Sequence, residues 1–228
     1  VLLHNIGAQE FYRLRARWKL LLVISTFAFL CGISAFPAIL WGSDSLPFLY
    51  QNTVDPYLMY ERYLPLSIIA TSMMTEYHLN DSFFSQHRST LYWQTVIQNL
   101  LVIINIWLIW SLTTSCILFG KAPLISTRPT ILIDLGLAAV FILFVQVILS
   151  AITLLLYFLI HRKLISVLFV LFVNILLFEQ ENRTKNVLLY AFDQMTDPFT
   201  RLLQLMNLAG LILLIGLVTY YLVQRREF

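Results

Sequence analysis

A run of thirty residues from Ile131 to Ile160 contains a single charged side chain, Asp134, among almost uniformly apolar neighbours. A bilayer core about 30 Å thick is crossed by roughly 20 helical residues, so this run is long enough to span a membrane and to tilt within it. The whole chain is 59% hydrophobic and 12% charged, whereas soluble domains carry about 25% charged residues. These values exclude a soluble enzyme, a disordered chain and a disulfide scaffold. They predict an all-α polytopic membrane protein.

Five apolar runs are long enough to be predicted as spans, although the run at 164–178 is short. A sixth candidate at 57–78 is weaker, because its apolar centre, Leu64–Met74, covers about a dozen residues between charged flanks. Such a length fits a span, but it also fits a re-entrant or interfacial helix. The six predicted spans are 20–41, 57–78, 94–119, 131–160, 164–178 and 202–223, and together they form one transmembrane domain, 20–228.

The distribution of basic residues was expected to give the topology, since cytosolic loops are enriched in Lys and Arg. With a cytosolic N-terminus, nine basic residues lie inside and six outside, whether the chain has six spans or five. This count therefore does not distinguish six spans from five. Tight basic flanks at 161–163 and 224–226 favour six spans, with both termini in the cytosol.

The net charge of +3 is too mild for a nucleic-acid-binding protein. Cys31 and Cys116 both lie in apolar runs, so we interpret them as packing residues, not as a disulfide or a metal site. The apolar run after Lys19 is too long for the core of a removable signal peptide.

The segment 1–19 is predicted to form an amphipathic helix in the membrane interface. Phe11, Leu14 and Trp18 recur at spacings of three and four, and Arg13 and Arg17 lie on another face. The alternative is an ordinary basic flank that only orients the first span.

No sequence pattern for catalysis, cofactor binding or metal binding is found. The only Gly-Lys pair, Gly120-Lys121, lacks both the first glycine and the following Ser or Thr of a phosphate-binding loop. The four histidines are scattered, and Asp134 fits a helix-capping role better than an ion site. We therefore predict that the chain is not an enzyme and holds no cofactor of its own.

Two less specific sequence patterns concern helix packing. Ser25, Ala28, Gly32 and Ala35 form a ridge of small residues on the first span, which allows close approach of another helix, either in the same chain or in a second subunit. On the third span Gln94, Gln98 and Asn105 share a face. They indicate interhelical hydrogen bonding or, less commonly, a polar translocation surface.

The order of these features resembles the transmembrane subunit of an ABC transporter of the ABC-2 (type V exporter) kind. The resemblance covers the interfacial helix, the polar second span, the turn Ser85–Trp93 and the close of the chain, where aromatic residues precede Gln224-Arg225-Arg226-Glu227. The small size and the Arg-Ser-Thr-x-Tyr-Trp turn, residues 88–93, are similar to permeases of Gram-positive peptide or bacteriocin export and immunity systems.

This resemblance implies a multi-pass protein of a bacterial cell membrane that exports an amphipathic peptide or lipid by alternating access. ATP and Mg would be bound by a separate ABC ATPase subunit, and a second permease chain, identical or different, would complete the path. The other expected partner is membrane lipid. The cytosolic surfaces expected to contact the ATPase contain Phe11, Leu14, Trp18, His87, Arg88, Leu91 and Tyr92. The alternative function is a non-transporting membrane scaffold or assembly subunit, and an enzyme acting on lipid is a distant third.

Overall fold

The computed structural model describes residues 15–34, 54–74, 88–121, 129–184 and 198–225. These residues form six helical segments and no strand. We label them α1 (Trp18–Ile33), α2 (56–74), α3 (Arg88–Lys121), α4 (Pro129–Ile160), α5 (Lys163–Thr184) and α6 (Pro198–Arg225). Segment α2 consists of Pro56–Leu58, a π-helical turn at Met59–Tyr63, and Leu64–Met74.

Four of the helices, α3 to α6, are long and apolar enough to cross a membrane, and α1 is a shorter apolar helix. An α-helix satisfies its own backbone hydrogen bonds, which is what a chain in hydrocarbon requires. The predicted class, an all-α membrane protein, is therefore confirmed.

The helices extend beyond several of the predicted spans. Helix α3 begins at Arg88, and α6 begins at Pro198. Helix α5 continues to Thr184, although the sequence analysis placed a polar connector after Phe178. Its last turn contains an ion pair between Arg183 and Glu179 one turn apart. Charged residues of this kind are good helix formers, so a helix does not end where its apolar run ends.

A two-residue connection joins α4 to α5. His161 adopts a left-handed backbone conformation, with φ of 59°, and its N–H donates to the Tyr157 carbonyl at 2.8 Å. This closes α4 and reverses the chain, so that Lys163 begins α5 directly beside the end of α4.

Segment α2, the weakest predicted span, is the most enclosed part of the bundle. Met59, Tyr63, Leu64 and Met74 are fully buried. Helices α1, α3, α4 and α5 all pack against α2. Its low hydropathy has a physical reason, because the polar residues Ser67, Thr71 and Ser72 are buried against these helices and not against lipid.

Candidate functional site: a polar cluster around a π-helical turn

The π-helical turn at Met59–Tyr63 has its cause in Pro65. Proline lacks a backbone N–H and its ring clashes with the carbonyl four residues earlier, so a regular α-helix is disrupted at this point. The N–H of Leu64 donates to the carbonyl of Met59, five residues back, as in a π-helix. The carbonyl of Tyr60 then has no donor in its own helix, because Leu64 is already used and Pro65 has no N–H.

Asn174 of α5 supplies the missing donor. Its side-chain Nδ2 lies 2.6 Å from the Tyr60 carbonyl oxygen, and Asn174 is only 1% exposed. A buried carbonyl without a partner would cost about 1–3 kcal/mol. The amide therefore fixes α5 to the one place where α2 departs from α-helical geometry.

Two further residues of α5 lie on the same face as Asn174, at spacings of four and three. The Phe178 ring lies 6.0 Å from that of Tyr60, centroid to centroid. Glu181 is 4% exposed, and its carboxylate accepts a hydrogen bond from the Tyr60 hydroxyl. A buried carboxylate near the end of a membrane helix is costly and marks a functional candidate.

A second pair lies deeper in the bundle. Tyr63 is fully buried and its ring lies 5.1 Å from that of Trp110. Its hydroxyl lies beside the side chain of Gln146, in the middle of α4. Within the described ranges, neither this hydroxyl nor either polar atom of the Gln146 amide makes a hydrogen bond, and the same is true of Asn174 Oδ1.

We call these five residues, Tyr60, Tyr63, Gln146, Asn174 and Glu181, the polar cluster. They come from three helices and offer hydroxyl and amide groups together with one carboxylate. Such groups can bind hydrogen-bonding partners. In the part of the chain that the structure describes, no group of three or more His, Cys, Asp or Glu residues could hold a metal ion.

Sequence reasoning missed the polar cluster. It placed Glu181 in a polar connector, but the residue is helical and buried. Gln146 and Asn174 are isolated polar residues inside long apolar runs, and Pro65 interrupts a third. Those interruptions were the available signal, since a polar side chain placed against lipid would be unfavourable.

The ridge of small residues on α1 packs against α3 of the same chain. Ala28 is fully buried, and a Cβ atom added at Gly32 would lie 2.9 Å from Thr113 Cβ. Asn105 Nδ2 donates to Ser25 Oγ at 3.1 Å, so this member of the predicted polar face forms an interhelical bond. Ala35 lies outside the described residues.

The other two residues of that polar face lie closer to the start of α3. Gln94 is half-buried and Gln98 is buried. A cavity of about 130 Å³ lies beside the neighbouring Asn99, between α3, α4 and α6. Its polar lining includes Ser150 and Thr219.

The structure describes only some of the residues that are predicted to contact an ATPase. Phe11, Leu14 and His87 lie outside the described residues, and Arg88 and Leu91 are described only as backbone at the start of α3. Trp18 is 56% exposed at the start of α1. Most of the predicted interfacial helix 1–19 is likewise outside the described ranges.

Tyr92 is not exposed as a residue that binds a partner subunit directly would be. It is buried, and its hydroxyl donates to the Gly216 carbonyl of α6 at 3.0 Å. Its ring packs edge-to-face on Tyr220, 5.3 Å away. A side chain enclosed in this way joins α3 to α6, so any contribution to coupling would pass through that contact and not through direct binding of a partner.

Comparisons of the chain with protein-family models, with curated proteins and with solved structures find no match.

Proposed function

We propose that this chain is the transmembrane permease subunit of an ABC exporter in a bacterial cell membrane. In this proposal it spans the membrane six times with both termini in the cytosol. A separate ABC ATPase binds ATP and Mg and drives alternating access. A second permease chain, identical or different, completes a path for an amphipathic peptide or lipid.

The polar cluster is the observation that carries this proposal. In the described part of the chain, polar atoms of Tyr63, Gln146 and Asn174 without a hydrogen bond lie inside an apolar bundle, Tyr63 beside Gln146 and Asn174 against Tyr60. Each such atom costs about 1–3 kcal/mol. A scaffold whose helices only bind other helices gains nothing from that cost, whereas a transporter uses interior polar groups to contact its substrate or to stabilise a second conformation.

The length of α2 supports six spans. A helical segment of residues 56–74 is about 28 Å long at 1.5 Å per residue, close to the thickness of the bilayer core. Its antiparallel neighbour α5 contacts it along this length, from Tyr60 at one end to the buried Leu64–Met74 portion.

The start of α3 supports coupling to a cytosolic motor. The first turn of α3 contains Arg88 and Leu91, and the next residue, Tyr92, is hydrogen-bonded to Gly216 of α6. A force applied to the first turn of α3 is thereby passed to the last helix as well, because both helices share this contact.

The test begins with co-expression of the chain with any ABC ATPase that the neighbouring genes encode, followed by purification of the chain. Stoichiometric co-purification and ATP-dependent peptide or lipid export are expected. If no ATPase binds the purified chain, the permease proposal is wrong and the scaffold function is favoured.

The second part of the test separates a transport role of the polar cluster from a structural one. We expect Gln146→Met to hold or raise thermal stability, because it removes an unpartnered amide, and to lower export by about tenfold or more with the ATPase still bound. The matched control is Leu143→Met, at a half-buried position of the same helix, and this substitution should leave export unchanged. Normal export by Gln146→Met would contradict a role of the cluster in transport.

A further inference from the structure

Helix α6 is attached to the bundle along one face. It packs mainly against α4 and, over a smaller area, against α3, and it is the least buried of the four long apolar helices. Leu208, Ile215 and Thr219 belong to its buried face. The opposite face of such a helix ordinarily meets lipid, so it is expected to carry apolar side chains alone.

The outer face of α6 shows a regular spacing of four and three residues. Six residues recur at this spacing, and all of them are exposed: Leu203, Asn207, Gly210, Leu214, Leu217 and Tyr221. We call these six residues the α6 stripe. At about 100° per residue, the stripe lies roughly 150° around the helix from the buried face. Alternating steps of four and three are the pattern by which two helices pack side by side in a left-handed pair.

Asn207 is a polar residue of this stripe at a depth where the surroundings are hydrocarbon. It lies about 8 Å along the axis from the centre of the span 202–223, whereas the bilayer core extends about 15 Å from its own centre. Its side chain is exposed and makes no hydrogen bond to any residue of the described ranges. An amide in this position is unfavourable, because hydrocarbon offers its donors and its acceptor no partner. The missing partner is expected to come from another molecule.

Gly210 provides the space for another helix to approach. A Cβ atom added at this position would meet nothing within 4 Å, so packing inside the chain does not require glycine here. Gly210 follows Asn207 by three residues on the same stripe. A small residue beside a polar one lets two membrane helices come close enough for the polar side chain to bond across the contact.

A second copy of the chain satisfies these conditions by symmetry. Two copies inserted in the same orientation are related by a two-fold axis along the membrane normal, so their α6 helices run parallel and identical residues face each other at one depth. Asn207 of one copy then faces Asn207 of the other. An amide carries both donors and an acceptor, so such a pair satisfies itself. A single Asn at one position of a helix pair also fixes the register and the number of helices.

We infer that two copies of this chain form a parallel dimer through the α6 stripe, with the two Asn207 side chains hydrogen-bonded across the two-fold axis. The inference deepens the proposed function, on which the role of the dimer rests, by making the second chain an identical copy. The two can fail separately. Loss of ATPase binding would overturn the function and leave the dimer, whereas a monomeric chain would overturn the dimer and leave ATPase binding.

Disulfide cross-linking tests the two-fold contact. In a background with Cys31→Ala and Cys116→Ala, Leu214→Cys in vesicles should form a disulfide-linked dimer when copper phenanthroline is added as the oxidant. Leu213→Cys is the matched control. Leu213 and Leu214 are 67% and 60% exposed, but Leu213 points about 100° away from the stripe. We expect its cross-linking to be at least about fivefold weaker, because a disulfide needs Cα atoms within about 7 Å. Equal yields would indicate random collision, and no dimer with Leu214→Cys would mean that the stripe meets lipid. Either result would overturn the inference.

The affinity of the dimer tests the role of Asn207. Donor- and acceptor-labelled copies of the purified full chain are mixed in phosphatidylcholine vesicles, and energy transfer is measured as the protein is diluted with lipid. Asn207→Leu should raise the dissociation constant by about threefold to thirtyfold, the range expected for a hydrogen bond between membrane helices. Asn207→Gln keeps the amide and should retain most of the affinity. Met206→Leu, at an exposed position outside the stripe, is the matched control.

Gly210 gives a steric test in the same assay. Gly210→Ile should weaken the dimer further than Asn207→Leu, because its side chain holds the backbones apart, whereas alanine is small enough to be tolerated. No energy transfer above random mixing in the parent chain would overturn the dimer. An unchanged dissociation constant in Asn207→Leu and Gly210→Ile, or an equal loss in Met206→Leu, would overturn the assignment of the contact to the α6 stripe.

Discussion

Gly32 permits the close approach of α1 to α3. The nearest side-chain atoms to its missing Cβ are Cβ and Cγ2 of Thr113, at 2.9 and 3.0 Å. The Thr113 hydroxyl is directed to its own helix, where it donates to the Ile109 carbonyl at 2.7 Å. Its carbon atoms consequently form the surface on which Gly32 lies.

We predict that Gly32→Ala lowers the free energy of unfolding by about 1–3 kcal/mol, because the added methyl group forces α1 away from Thr113. Gly210→Ala on α6 is the matched control. A Cβ atom there meets nothing within 4 Å, so this change should be neutral or stabilising by up to about 1 kcal/mol. Unfolding of both variants by denaturing detergent in mixed micelles measures the difference.

Gly32→Leu should have a larger effect on stability than Gly32→Ala. If it instead changed the oligomeric state and left stability intact, the ridge would be a subunit contact.

At the scale of the element, α2 is the helix whose local geometry could not be predicted from the sequence. Its existence was predicted from Leu64–Met74, and the effect of proline on a helix is well known. The resulting π-helical turn was not predicted, because Met59–Tyr63 carries no pattern of its own, and the extra residue is accommodated only by a donor, Asn174, distant in sequence.

Deletion of Glu61 tests the π-helical turn directly. Removing one residue closes the wide turn to an α-helical one, in which Tyr60 becomes the residue four before Pro65 and the proline ring clashes with the Tyr60 carbonyl. Tyr60 would then leave Asn174 and Glu181. We expect a loss of about 3 kcal/mol or more in stability, seen as a lower melting temperature and a poorer yield of monodisperse protein. Glu61→Ala keeps the chain length at an exposed position and should behave like the parent chain. Equal stability of the deletion and Glu61→Ala would mean that the turn has no structural role.

Hydropathy predicted the apolar helices well and the site poorly, for one physical reason. A long apolar run specifies a helix in lipid by itself, as in α4. The role of a polar residue depends on its neighbours in space. Glu179 and Glu181 are two residues apart, yet one forms an exposed ion pair and the other is buried against Tyr60.

At the scale of the whole molecule, the described acidic residues all lie at one end of the bundle, together with the cations Arg62, Arg183 and Arg201. The described charged residues at the opposite end are all basic, among them Arg17, Lys163 and Arg225. A multi-pass protein with this asymmetry is expected to keep its basic end in the cytosol.

Cysteine labelling tests this topology. In a background with Cys31→Ala and Cys116→Ala, we predict that Asp55→Cys reacts with a membrane-impermeant maleimide from outside the cell. Ser85→Cys should react only after the membrane is opened, because α2 separates the two positions. Labelling of both from one side would mean that α2 does not cross the membrane.

The central position of α2 has a consequence for biogenesis. Asn174 and Gln146 are translated after α2, and about 100 residues separate Met74 from Asn174. At 5–20 residues per second, α2 waits roughly 5–20 s for the side chain that completes its hydrogen bonding. During that interval the Tyr60 carbonyl and the Ser67, Thr71 and Ser72 side chains lack their final neighbours. Segment α2 therefore completes its packing only after α4 and α5 have been synthesised.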